Sequence, residues 1–123
     1  MRVEELDVWK RSARLSATLY QRMSSLKDWG FRDQITRAGL SIPSNIAEGY
    51  ERDSDAEIAR FLTIAKGSAG ELVTQIYIGK EAGYVSPEDA RAWVAETKEV
   101  ARMLGALIVY WRNRKGRAAR DEG

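Results

Sequence analysis

The chain has 123 residues, 44% apolar and 31% charged, with a net charge of +2. These totals fit one domain with its own core and exclude wholesale disorder. Cysteine and histidine are both absent, which removes disulfides, thiolate nucleophiles, and the commonest general base and metal ligand near neutral pH.

The opening run Met1-Arg-Val-Glu-Glu-Leu-Asp7 lacks the apolar segment of a secretory signal. The longest apolar-looking stretch, Phe61 to Ile78, carries Lys66 and Glu71 and is too polar to span a bilayer. A cytoplasmic location with no membrane partner is the expectation. Charge is unevenly spread. Residues 112–123 hold five basic side chains against two acidic ones, a balance of +3, so the remaining chain carries −1.

Helical spacing organises the chain from its start. Between Glu5 and Leu26, one stripe reads Leu6, Trp9, Ala13, Tyr20, Met23, and a second reads Val8, Leu15, Leu19, Leu26. Two stripes predict a helix packed against two neighbours. Lys27-Asp-Trp-Gly30 reads as the connection to a second helix over 31–50. There Phe31, Ile35, Ala38, Gly39, Ile42, Ile46 and Gly49 share a face, and Pro43 predicts a kink.

Ser54 followed by Glu57 has capping-box spacing and predicts the start of a third helix over 55–82. Its main face is Ile58, Phe61, Leu62, Ala65, Ala69, Leu72, Ile76. A second seam runs Ile64, Ser68, Glu71, Gln75, Ile78, Ala82, with a polar centre. Gly83 suits a left-handed helix end. Ser86-Pro-Glu-Asp89 is a strong helix start, opening a fourth helix with the heptad Trp93, Thr97, Val100, Leu104, Leu107, Trp111. Short connections then predict an all-α, antiparallel up-down-up-down four-helix bundle over residues 1–112, with a basic, flexible tail over 113–123.

Amphipathicity leaves one set of residues unexplained. Gln34, Arg37, Ser41, Asn45 and Glu48 form a polar strip on the second helix, and Ser68, Glu71 and Gln75 interrupt the seam of the third. A turn centred near Arg52 and Asp53 places Arg37 level with Ser68, Asn45 level with Arg60, and Glu48 near Glu57 and Arg60. The expectation is a partly buried network with an Arg37–Glu71 ion pair, since inward charges need partners. Such a network can set helix register alone, or belong to a ligand pocket or subunit contact.

Leu40-Ser-Ile-Pro-Ser-Asn-Ile-Ala-Glu-Gly49, preceded by Gln34-Ile-Thr-Arg-Ala38, resembles the signature of bacterial four-helix-bundle proteins encoded by intervening sequences in large-subunit ribosomal RNA genes. The stretch from Phe61 to Gln75, Leu6-Asp-Val-Trp9 and Gly83-Tyr84 match further motifs in order, so the likeness covers residues 5–111. It implies a homopentameric bundle without established enzymatic activity. It also implies kinship with the accessory variability protein of diversity-generating retroelements, which associates with reverse transcriptase and nucleic acid. Thr36 and Gly39 depart from the basic and bulkier residues usual in the motif.

Enzyme chemistry is not expected. The di-iron bundle pattern requires Glu-x-x-His, and at Gly79-Lys80 the position where a P-loop needs its first glycine holds Thr74. No catalytic residue, cofactor or metal site is therefore assigned. Two classes of function stand. In one, Arg112, Arg114, Lys115, Arg117 and Arg120 contact the phosphates of RNA or a ribonucleoprotein, multiplied by assembly. In the other, the protein is an interaction scaffold, the tail only aids solubility, and Trp29, Tyr50, Tyr77, Tyr84 and Tyr110 supply subunit contacts or cover helix ends.

Overall fold

The computed structural model describes residues 2–122, with side chains from Arg2 to Arg114. A 3-10 turn at Val3–Glu5 leads into α1 (Asp7–Met23), α2 (Trp29–Tyr50), α3 (Asp55–Glu81) and α4 (Pro87–Glu122). The described residues contain no strand. Each helix packs on its neighbours in the chain, and α4 returns against α1 to close the ring. Connections of four or five residues leave no room for a crossover, so successive helices run antiparallel. This is the four-helix bundle that the apolar periods predict.

The helix boundaries follow from local chemistry. Asp28 caps α2 by accepting the Phe31 N–H (3.1 Å), so this helix begins two residues earlier than the spacing predicts. Ser54 Oγ accepts the Glu57 N–H (3.1 Å), and Ser86 Oγ accepts the Asp89 N–H (3.1 Å). Only half of the expected capping box forms, because the Glu57 carboxylate turns to Arg60 instead. Gly83, at φ +80, ends α3 in the left-handed region, and Gly79 O accepts the N–H groups of both Tyr84 and Val85. Helix α2 continues through Pro43.

Fully buried Leu19, Ile35, Ile42, Ile46, Leu62, Leu72, Ile76 and Leu104 fill the interior. The stripes foreseen on α2, α3 and α4 supply most of it. On α1 the core face is Val8, Ser12, Leu15, Leu19 and Met23, whereas Tyr20 of the other stripe is 46% exposed. Small residues let the helices close up. A Cβ at Gly39 would stand 2.5 Å from Leu19 Cδ1, and one at Gly49 would stand 2.9 Å from Phe61 Cβ. Ser12, Thr36 and Thr97 are buried but donate to carbonyls three or four residues earlier, those of Trp9, Arg32 and Trp93, so none of these three hydroxyls is stranded. Of the two motif departures, Thr36 is buried and bonded within its own helix, and Gly39 admits Leu19 of α1.

Helix α4 runs past Arg112, where its apolar period ends. The side chains of Lys115, Arg117 and Arg120 lie outside the described residues, and α4 runs on through the boundary expected after residue 112.

Candidate functional site

The polar strips of α2 and α3 meet at the outer edge of the seam between these helices. Ser41 Oγ and Ser68 Oγ share a hydrogen bond of 2.8 Å, and Asn45 Nδ2 donates to both Ser41 O (2.8 Å) and Ser41 Oγ (2.9 Å). These three side chains are half-buried. Below them Gln75 Nε2 donates to Glu71 Oε1 (3.4 Å), while Gln75 Oε1 is buried and has no partner among the described residues. Ile64 and Ile78, on the same seam of α3, are exposed.

The structure corrects the expected Arg37–Glu71 pair. Both residues are exposed, and neither forms an ion pair among the described residues. Two physical reasons account for the difference. First, Ser41 rather than Arg37 faces Ser68, so the register is offset by one helical turn. Chain reversal through Glu51–Ser54 carries the first turn of α3 beyond the end of α2, and Phe61 and Ile58 then pack against Gly49. Second, the strips border the interface on its solvent side, so charges there stay hydrated and need no partner. The offset takes Asn45 out of level with Arg60, and pairing within each helix replaces the contact expected between Glu48 and Arg60. Glu48 pairs with Arg52 one turn away, and Arg60 pairs with Glu57. Gln34 is exposed beside Arg37.

The described part of the basic tail is engaged with the bundle. Arg112 Nη2 lies 3.5 Å from Thr63 Oγ1. The Arg114 guanidinium stands 3.8 Å from Asp55 and 5.1 Å from the centre of the Trp111 ring. Two of the off-stripe aromatics also have internal hydrogen-bond partners. Tyr50 accepts the Trp111 indole N–H (3.0 Å), and Tyr84 packs on Phe31 and donates to Asp28 Oδ2 (2.8 Å). Trp29, Tyr77 and Tyr110 remain exposed.

Two features escape a reading by single-helix periods because each joins two helices. Arg11 of α1 grips Glu96 of α4 with both arms of its guanidinium, Nε to Oε2 at 2.9 Å and Nη2 to Oε1 at 2.5 Å, and approaches Glu99 at 4.0 Å. Hydrogen bonding from Arg11 holds the Glu96 carboxyl below the usual range, against a smaller opposing effect of burial. Glu99 is held down likewise, chiefly by Arg102. The second feature is an open cleft of about 410 Å³ between the C-terminal half of α3 and the N-terminal half of α4. Tyr77, Lys80, Arg91 and Lys98 line it around a floor that includes Ala90 and Val94. Registering the two helices antiparallel would bring these residues together, but their spacing along either helix alone shows nothing unusual.

No described helix is long and apolar enough to cross a membrane. The fold is similar to a crystal structure of a protein of unknown function from the S23 ribosomal protein family of Bacteroides thetaiotaomicron. The two share 24% sequence identity and superpose with a TM-score of 0.77, covering 82% of this chain and 97% of that one. No curated protein matches the sequence. The family model for the 23S rRNA-intervening sequence protein matches residues 4–106, and the chain belongs to that family.

Proposed function

We propose that this chain is a non-enzymatic, cytoplasmic subunit that self-assembles, as a homopentamer, and binds RNA or a ribonucleoprotein. The observation that carries the assembly is the outer α2–α3 seam. It combines exposed Ile64 and Ile78 with a hydrogen-bonded serine pair and a buried Gln75 oxygen that has no partner among the described residues. A second copy laid on this face would cover the isoleucines and supply the missing donor, since buried polar atoms are rarely left unpaired. Pentameric order comes from the family resemblance. In such a ring the basic C-terminal segments would be displayed together, raising local field and avidity for phosphates.

Light scattering coupled to size exclusion tests the assembly directly. The wild type should elute at five times the 13.9 kDa chain mass, and Ile64→Glu with Ile78→Glu should give a folded monomer by circular dichroism. A wild type that stays monomeric at every concentration refutes the reading. Retention on RNA should fall with rising salt and on deletion of residues 113–123. One observation favours a second reading, a scaffold without nucleic acid. Arg112 and Arg114 already contact Thr63, Asp55 and Trp111 of their own bundle. Salt-independent retention, or none, would support that alternative.

A further inference from the structure

The cleft between α3 and α4 has a composition that the bundle itself does not require. Its walls carry three cations, Lys80, Arg91 and Lys98, and no carboxylate lines it. None of the three forms an ion pair among the described residues, whereas Arg11, Arg52, Arg60 and Arg102 all do. Glu81 and Glu88 are near in sequence but line no part of the cleft. Three like charges around one cavity repel each other, so the arrangement stores affinity for an anion. Tyr77 stands among them, 49% exposed, presenting an aromatic ring that the core does not use.

The cations continue along the same pair of helices. Lys66 of α3 lies over α4 at Gly105, where a Cβ would be 3.6 Å from its Nζ. Beyond it a second cleft, of about 380 Å³, is lined by Arg60, Thr63, Ile64 and Arg112. From Arg91 to Arg112 the track follows α4 for roughly 30 Å, at 1.5 Å rise per residue. A small anion would occupy one end of such a track, but a flexible polyanion can follow all of it.

We propose that the α3–α4 groove is a binding track for single-stranded nucleic acid, in which Lys80, Arg91, Lys98 and Lys66 contact successive phosphates and Tyr77 stacks on a base. This rests on the nucleic-acid reading above and moves its main contact from the C-terminal segment to the folded bundle. The chemistry selects the ligand. A row of cations beside an aromatic face matches the alternation of phosphate and base, the combination that single-strand binders use. An acidic peptide offers charge but nothing flat to stack. A lipid surface would need a convex apolar patch, and this site is concave.

Fluorescence anisotropy of the full chain with a labelled oligouridine of about 15 nucleotides, at about 50 mM and about 200 mM salt, tests the track. The wild type should bind, and its affinity should fall by at least about tenfold between these salts if several phosphates are contacted. Lys80→Glu with Arg91→Glu and Lys98→Glu should weaken binding by more than about a hundredfold, with an unchanged helical spectrum. Tyr77→Ala should cost about tenfold, and Tyr77→Phe should restore the affinity, because the phenyl ring still stacks. Deleting residues 113–123 should cost less than the triple substitution.

Wild-type affinity in the triple variant would overturn the groove while leaving the nucleic-acid reading intact. No binding by the wild type at low salt would overturn both. Equal affinity for a duplex, with no effect of Tyr77→Ala, would overturn the single-strand assignment, as would equally effective competition by polyglutamate.

Discussion

Ser41 and Ser68 are joined by a 2.8 Å hydrogen bond across the seam between α2 and α3. This bond marks the register of the two helices and, through it, decides which polar residues meet and which face solvent. Arg37 and Glu71, three or four residues from the serines along the two helices, fall on the outer rim and remain hydrated.

Removing that rim charge should leave the folded bundle intact. Arg37→Ala and Glu71→Ala are each expected to move the melting temperature of the monomer by less than about 2 °C, the range of surface substitutions. A thermal melt followed by circular dichroism checks this. A loss of ten degrees would mean that the two charges are paired and buried after all.

Close helix approach makes Gly49 intolerant of any side chain. A Cβ there would meet Phe61 Cβ at 2.9 Å and Ile58 O at 3.4 Å, atoms at or on the neighbouring backbone that cannot swing aside. Gly49→Ala should therefore destabilise the fold by about 1–3 kcal/mol, as overpacking does. Chemical denaturation monitored by tryptophan fluorescence would measure it.

Gly70 offers the opposite case on α3. Nothing lies within 4 Å of the position its Cβ would take, and glycine inside a helix costs roughly 1 kcal/mol relative to alanine. Gly70→Ala should raise the denaturation midpoint by a corresponding amount. A neutral or negative result would indicate that something outside the chain occupies that space.

Acid should loosen the closure of α1 on α4. Glu96 and Glu99 are held below the ordinary carboxylate range, by Arg11 and by Arg102 respectively. A carboxyl whose folded pKa is depressed contributes stability above its unfolded value, near about 4, and loses that contribution as pH falls through the folded pKa. Melting temperature should thus decline below about pH 4, and less steeply in Glu96→Gln than in the wild type. Because the Arg11 and Glu96 side chains are 35% and 32% exposed, solvent and added salt should weaken the effect.

Much of this architecture was legible in the amino-acid order. The apolar faces of α2, α3 and α4, the caps at Ser54 and Ser86, and the left-handed Gly83 are local features, each determined by a period or a residue's own conformational preference. They were sufficient for the bundle, and the spaced motifs around Pro43 and Gly67 were sufficient for the family resemblance. Where the structure departs from the periods, the deciding quantity is a relation between helices. The α2–α3 register depends on how far the chain travels past Tyr50 before turning, and on Gly49 accepting Phe61. Tyr20 faces water because α1 packs through Ser12, Leu15, Ser16 and Leu19 instead. The Arg11–Glu96 clamp and the basic cleft around Tyr77 arise only when residues more than ten positions apart are brought side by side. Periodicity reports which face of a helix is apolar; packing alone decides what that face, and the polar one beside it, will meet.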